Sequence, residues 1–189
     1  MKIAPGESQT MRRNGRTESV ILFVVADQMF AISAASIHEI RSTDSLSSSA
    51  TEIHQERLPK VRHRLRRGRE SLYVVNACAH FGLEASRPTL VLVMRGSRVA
   101  VLVDCIDRME TISSLFSLPR PFRGPERGWY RGVTLISEKV VPVVSPSGFL
   151  DEGELSYLDG VTRSATSAPL ETTAAAGAGH EDVNGGASE

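Results

Sequence analysis

Two apolar runs separated by a tight turn constrain this chain more than any other feature. The runs occupy residues 89–94 and 98–104, and Gly96 and Ser97 lie at the turn between them. β-Branched and aliphatic residues favour strands, and Gly96 can adopt the positive φ angle that a tight reversal requires. Because both runs are apolar along nearly their whole length, they predict a β-hairpin buried on both faces, as in a small closed barrel.

Similar runs recur along the chain and predict an all-β protein with short helices. Further hairpins are expected at residues 20–32 and 133–144, and single strands at residues 37–41, 60–66, 72–75 and 105–111. Helical turns are expected at residues 76–80, where Gly82 ends the turn, and at residues 112–118 and 151–157. The Ser-rich residues 42–55 predict a long loop, and polar residues predict disordered tails at residues 1–18 and, after the last helix, within residues 153–189.

Charge and cysteine content narrow the classes of function. The 22 basic residues balance the 22 acidic residues, so the chain as a whole has no electrostatic attraction to nucleic acid or to an acidic membrane. Cys78 and Cys105 show no C-x-x-C spacing and lie among apolar residues, which predicts buried thiols in a reducing cytoplasm. No apolar run approaches the ~18 residues of a spanning helix, so a cytoplasmic protein is expected.

The strand pattern repeats along the chain. A comparison without gaps at an offset of 69 places residues 21–40 on residues 90–109, so that strand, turn, strand, gap and strand coincide. The same offset places Val74 and Val75 on Val143 and Val144. The pattern indicates an internal duplication into two small β-subdomains of about five strands each, although chance similarity between β-rich segments would also produce it.

Several ordered motifs resemble the CheW-type coupling adaptors of chemotaxis. They are Phe23-Val-Val with Phe30-Ala-Ile32, Ile37-His-Glu-Ile-Arg41, Leu65-Arg-Arg-Gly68, Tyr73-Val-Val-Asn76, Phe81-Gly-Leu83, Val99-Ala-Val-Leu-Val-Asp104, Tyr130-Arg-Gly132 and Val140-Val-Pro-Val-Val144. The resemblance implies two five-stranded, SH3-like β-barrels related by pseudo-symmetry within residues 19–152. The first would occupy roughly residues 20–85 plus return strands, and the second roughly residues 88–150. In one departure from the family pattern, His63 stands where the family usually has Gly.

The resemblance also implies a function. Family members have no catalytic site and no cofactor; they couple the cytoplasmic tips of chemoreceptors to the regulatory domain of a sensor histidine kinase. The implied partner-binding residues are Ile37, Glu39, Ile40, Leu65, Arg67, Gly68 and Val99. Glu39 and Arg67 match the family's E-I and R-G motifs, and we expect them to form an ion pair across neighbouring strands. A diverged coupling domain of another motility or signalling array is an alternative.

A basic strand is the one concentrated charge feature. Its cations are Lys60, Arg62, Arg64, Arg66 and Arg69. From Lys60 onward the cations alternate with Val61, His63 and Leu65, which predicts a strand with one strongly basic face. This face could be merely solvated, could dock an acidic partner, or could bind single-stranded nucleic acid through Arg62, Arg64, Arg66 and Tyr73.

Catalytic and metal motifs are not found in the sequence. Cys78 and His80 are two residues apart in an expected helix, so their side chains would point in different directions. Trp129 and Tyr130 follow a Pro- and Gly-rich loop and are expected to pack between the two barrels rather than to form a ligand cage. The chain is therefore expected to be a non-enzymatic adaptor.

Overall fold

The protein is described here by a computed structural model that covers residues 17–46, 49–68, 70–118 and 124–167. These residues form eleven strands and two α-helices. The strands are β1 (Glu18–Val25), β2 (Gln28–Ser33), β3 (Ile37–Ser42), β4 (Ala50–Glu52), β5 (Val61–Arg67), β6 (Glu70–Asn76), β7 (Leu90–Met94), β8 (Val99–Val103), β9 (Cys105–Ile112), β10 (Tyr130–Ile136) and β11 (Lys139–Val144); the helices are α1 (Ala77–Phe81) and α2 (Glu152–Ser167).

The strands form two sheets. Sheet A has the order β10-β11-β2-β1-β9, and sheet B has the order β3-β7-β8-β6-β5-β4. The chain is thus mostly β, as expected, but the sheets do not correspond to consecutive halves of the sequence. The hairpin β7–β8 joins β3, β5 and β6 in sheet B, whereas β9, β10 and β11 join β1 and β2 in sheet A. The expected division near residues 85–88 therefore does not separate the sheets, because the two halves exchange strands.

Strand pairing repeats at the offset of 69 found in the sequence. The parallel pair Val143–Ala31 in sheet A matches the pair Val74–Ala100 in sheet B. Irregularities in register also coincide at this offset: β9 and β3 skip Asp107 and His38, and β10 and β5 skip Arg131 and Arg62. A bulge is a specific local feature, so two coinciding pairs favour duplication over chance similarity. Residues 69 positions apart are called counterparts below.

Three apolar clusters hold this arrangement together. The inter-sheet core includes Phe23 and Phe30 of sheet A, Tyr73 and Val75 of sheet B, and Leu158 of α2. Each sheet also covers a core on its other face. In sheet A this core includes Leu22 and Val141; in sheet B it includes Leu65, Leu72, Val74, Val91 and Val93. Burial on both faces explains the continuous apolar runs of the sequence.

Several local predictions need correction. Residues 112–118 form no helical turn; Phe116 instead pairs with Val133 of β10. Residues 42–55 are not simply a loop, because they contain β4 and a short 3-10 turn. Helix α2 continues to Ser167, beyond the expected end at residue 157, because Leu155, Leu158 and Val161 pack against the inter-sheet core.

The remaining expectations on tails and thiols have mixed outcomes. Cys78 is buried as expected, but Cys105 is exposed because it begins β9, which lies at the end of sheet A. Gly82 ends α1 in a left-handed conformation, with a φ angle of 66°, as predicted. The tails expected at residues 1–16 and 168–189 lie outside the described residues.

Candidate partner-binding surface

The expected partner-binding residues divide into a buried and an accessible set. Ile37, Leu65 and Val99 are at most 6% exposed and lie in the cores, so they support the sheet from inside. Glu39, Ile40, Arg67 and Gly68 are accessible at the surface of sheet B. The structure therefore leaves four of the seven residues available for direct contact.

Strand β3 carries the accessible apolar residue of this set. It lies at one end of sheet B, and no described strand pairs with its outer side. Ile40, in the middle of β3, is 42% exposed. An edge strand with a free backbone side and an exposed aliphatic residue is the arrangement that β-strand addition by a partner requires.

Glu39 forms its ion pair within β3 and not with Arg67. Its carboxylate accepts two hydrogen bonds from Arg41, from Nε at 2.7 Å and from Nη2 at 2.8 Å. The expected direct pair with Arg67 is wrong, since β3 and β5 are not neighbouring strands: β7, β8 and β6 lie between them in the sheet order. Arg67 instead lies 3.4 Å from the Glu70 carboxylate.

Arg67 nevertheless contributes to the electrostatics at Glu39. Glu39 lies opposite Val93, and Arg67 is two residues beyond Leu65, so both side chains occupy the face of sheet B that covers its core. Hydrogen bonds from Arg41 are the main reason that the pKa of Glu39 is lowered. The positive charge of Arg67 lowers this pKa further. The two family-motif residues thus share one electrostatic environment without touching. Gly68 follows with a φ angle of 61° and turns the chain into β6.

The basic strand does not have the single basic face that alternation predicted. Because Arg62 is skipped in the register, the residues after it change faces relative to Val61. Arg64 and Arg66 therefore share the face of Val61, whereas His63 and Leu65 point to the core of sheet B. Lys60 is bound 2.7 Å from Glu154, and Arg69 lies outside the described residues. Arg62, Arg64 and Arg66 form no ion pair with any described residue.

Tyr73 cannot serve as a stacking platform for nucleic acid. It is fully buried beneath α2, and its hydroxyl donates a hydrogen bond of 2.6 Å to Asp159. Arg98 also binds Asp159 and lies over the Tyr73 ring, 5.3 Å from its centroid, which is a cation–π contact. The nucleic-acid interpretation of β5 therefore loses the aromatic residue on which it depended.

Trp129 and Tyr130 pack between the sheets, as predicted. Phe81 of α1 stacks on Phe30 of sheet A at 4.5 Å between ring centroids, and on Tyr130 at 5.9 Å. His80 lies 4.5 Å from Trp129, and neither imidazole nitrogen has a hydrogen-bond partner. Burial is the main cause that lowers the pKa of His80 to about 3, so this histidine is neutral. The aromatic cluster is a packing element with no open cage among the described residues.

The buried cysteine belongs to a polar chain that joins the elements. Cys78 Sγ lies 2.9 Å from Ser86 Oγ, which donates to Asp104 Oδ1. Asp104 Oδ2 also accepts a hydrogen bond of 2.7 Å from the backbone N–H of Ala26. No group of residues suited to hold a metal ion occurs within the described ranges.

Sequence reasoning missed the segment beside β5. Thr43, Leu46 and Ala50 pack next to His63 and Leu102 and border a cavity, and Gln55 ties this segment to the start of β5 through hydrogen bonds to the carbonyls of Leu58 and Val61. The isolated apolar residues Leu46 and Ile53, in an otherwise polar stretch, were the available signal for this packing. None of the helices in the described part of the chain is long and apolar enough to cross a membrane.

Comparison with known proteins agrees with the geometry. The family model of the CheW-like domain matches residues 19–154. The fold is similar to the crystal structure of the scaffolding protein TtCheW from Thermoanaerobacter tengcongensis, with a TM-score of 0.60 and 12% sequence identity over 73% of this chain and 96% of that one. A search of curated proteins gave no match. Because the family model covers most of the chain, the protein belongs to the CheW-like family of non-catalytic scaffolds.

Proposed function

We propose that this protein is a cytoplasmic adaptor that couples the tips of chemoreceptors to the regulatory domain of a sensor histidine kinase. The accessible edge of β3 carries this proposal, because it combines a free backbone side with exposed Ile40 and the charged pair of Glu39 and Arg41. A few apolar residues supply most of the affinity in protein interfaces, and nearby charges select the partner. Gly68 and Arg67 extend this surface.

The proposal includes a specific form for each sheet. Sheet A and five strands of sheet B, β3 and β5 to β8, would each curl into a five-stranded, SH3-like barrel, with β4 added beside β5. The strand pairing that the two sheets share would be the basis of their pseudo-symmetry. Each sheet already covers a separate apolar core on the face away from the other sheet, as a barrel interior would. Curling would present β3 at the outside of one barrel, where a partner strand could reach it.

Titration calorimetry against both expected partners tests the function. The full chain is titrated with a chemoreceptor cytoplasmic tip and, separately, with a histidine-kinase regulatory domain from the same cell. The Ile40→Ser variant should weaken binding to at least one of them about tenfold, because an exposed aliphatic anchor would be lost. Its counterpart Met109, 65% exposed on β9, supplies the matched control Met109→Ser, which should change affinity less than about twofold.

Two results would contradict the proposal. Failure of the wild-type chain to bind either partner would favour a coupling domain of another signalling array. Equal losses in the Ile40 and Met109 variants would show that β3 is not the specific surface.

A further inference from the structure

The two bulges on counterpart strands present equivalent arginines. Arg131 is skipped where Tyr130 and Gly132 pair with Val144 and Val143 of β11. Arg62 is skipped at the same place in sheet B, where Val61 and His63 pair with Val75 and Val74. Since the pairing around the two bulges is the same at the offset of 69, the arginines begin from equivalent backbone positions.

Arg131 is neutralised inside its own sheet. Its guanidinium donates two hydrogen bonds to the Glu18 carboxylate, at 2.7 Å and 3.0 Å. Ser33 supplies a further hydrogen bond to Glu18, and the arginine is the main cause that lowers the pKa of this carboxyl group. Paired bonds of this kind fix both the position and the orientation of a carboxylate. Sheet A therefore shows what an arginine at this bulge can hold.

Sheet B lacks the acid that would complete the same arrangement. Leu102, the counterpart of Ser33, pairs with Val91, whereas Ser33 pairs with Val20. Strand β7 is therefore shifted by two residues relative to β1, and uncharged Thr89 occupies the place of Glu18. Arg62 is exposed and has no ion-pair partner among the described residues. A cavity of ≈ 300 Å³ lies beside it, lined by Pro59, Lys60, Arg62, His63, Val74, Asn76, Ala79 and Leu102. Arg62 and Leu102, the counterparts of the two residues that bind Glu18, both border this cavity.

The charges around the cavity favour an anion. Its lining, within the described part of the chain, contains no carboxylate. Lys60 is already bound to Glu154 at 2.7 Å, and Glu52 lies opposite His63 on β4, so these two acids leave Arg62 uncompensated. Arg64 and Arg66 point to the other face of the sheet and do not line the cavity. Arg62 is the lining cation without an ion pair to the described residues, and its charge would attract an approaching acidic group.

We propose that Arg62 and its cavity form a binding site for a glutamate or aspartate side chain in an acidic segment of a partner protein. The bound carboxylate would take the place that Glu18 occupies at Arg131, accepting paired hydrogen bonds from the guanidinium. This site is separate from the β3 edge, and its existence does not depend on which protein binds there.

The test uses the full chain and a short blocked peptide of alternating glycine and glutamate, with the glutamine version as its control. The glutamate peptide should bind, more weakly at higher salt, and the glutamine peptide should not. The Arg62→Gln variant should lower affinity about tenfold or more, as expected for a lost hydrogen-bonded charge. Arg66→Gln, on the same strand but away from the cavity lining, should lower affinity less than about threefold.

A second variant checks the geometry by rebuilding the sheet A arrangement. Thr89→Glu places a carboxylate at the position equivalent to Glu18, where it would bind Arg62 within the chain and abolish peptide binding. The proposal is overturned if Arg62→Gln and Arg66→Gln have equal effects, or if Thr89→Glu leaves peptide binding unchanged. Inorganic phosphate or a single-stranded oligonucleotide binding through Arg62 where the glutamate peptide does not would overturn it as well.

Discussion

Sheets A and B share most of their strand pairing, although β7 is shifted by two residues relative to β1. Three pairs of counterparts nevertheless have different roles in the two sheets. In sheet A, Gly132 allows close approach of Phe116, and Arg131 is bound by Glu18. In sheet B, His63 and unpaired Arg62 border cavities instead. The third pair, Phe149 and His80, meets between the sheets with ring centroids 5.1 Å apart. In sheet A, residues of the chain itself contact the glycine and the arginine at the bulge. In sheet B, the corresponding positions border cavities that a partner could enter.

The largest expected loss of stability comes from a side chain introduced at Gly132, where the backbone of Phe116 passes close by in sheet A. A Cβ atom on Gly132 would lie 2.2 Å from the Phe116 carbonyl oxygen, which is backbone and cannot move aside cheaply. Gly132→Ala should therefore lower the free energy of unfolding by about 3 kcal/mol, measured by urea denaturation. Gly128→Ala is the control, because a Cβ there meets nothing within 4 Å. A small, equal change in both variants would show that the bulge of sheet A does not require glycine.

The second largest expected effect concerns His80, the counterpart of Phe149, and is a change in stability that depends on pH. Burial lowers the pKa of His80 from 6.5 to about 3, so the unfolded chain takes up a proton before the folded chain does. The contribution of neutral, buried His80 to the free energy of unfolding is therefore fully present above the unfolded pKa of 6.5. It is lost as the pH falls toward about 3. His80→Phe, which copies the counterpart Phe149, should remove that loss.

Urea denaturation of both proteins measures the effect. Between neutral pH and about pH 5, wild type should lose ~2 kcal/mol more than the variant. Parallel pH profiles for the two proteins would mean that His80 becomes protonated in the folded state without cost.

The sequence predicted local elements better than the connections between them. Apolar runs and turn residues predicted the hairpins of β1–β2, β7–β8 and β10–β11, and the offset of 69 anticipated their repetition. The exchange of strands between sheets depends on pairings such as β1 with β9, which join residues far apart and leave no local pattern.

The candidate site shows the same limit at single residues. The motifs identified Glu39 and Arg67 but not their partners. Glu39 binds Arg41 on its own strand, because β5, which carries Arg67, is not a neighbour of β3 in the sheet. Alternation also failed on β5, where the bulge at Arg62 changes the face of the residues that follow. Ile37, Leu65 and Val99 were indistinguishable from surface aliphatics in the sequence, since burial is set by the fold.

A third effect concerns the helix that covers sheet B. Tyr73 donates to Asp159 of α2, whereas no hydrogen bond is formed by the Tyr130 hydroxyl with the described residues. Tyr73→Phe should lower the free energy of unfolding by about 1.5 kcal/mol, because a buried bond to a charged acceptor is lost while Arg98 still binds the carboxylate. Tyr130→Phe is the matched control and should be nearly neutral by urea denaturation. Equal losses would indicate that ring packing, and not the bond to α2, explains the effect.

The smallest effect compares the two bulge arginines directly. The Glu18 and Arg131 side chains are 30% and 35% exposed, so their pair should contribute about 0.5–1 kcal/mol. Arg131 lowers the pKa of Glu18, so this contribution is present above the carboxyl's ordinary pKa of 4.5 and is lost as the pH falls below it. Arg131→Gln should lower the free energy of unfolding at neutral pH by that amount, and Arg62→Gln should leave it unchanged because no intramolecular partner is lost. If the Arg62 variant were destabilised equally, the arginine of sheet B would serve the fold rather than a partner, and the difference between the two copies would disappear.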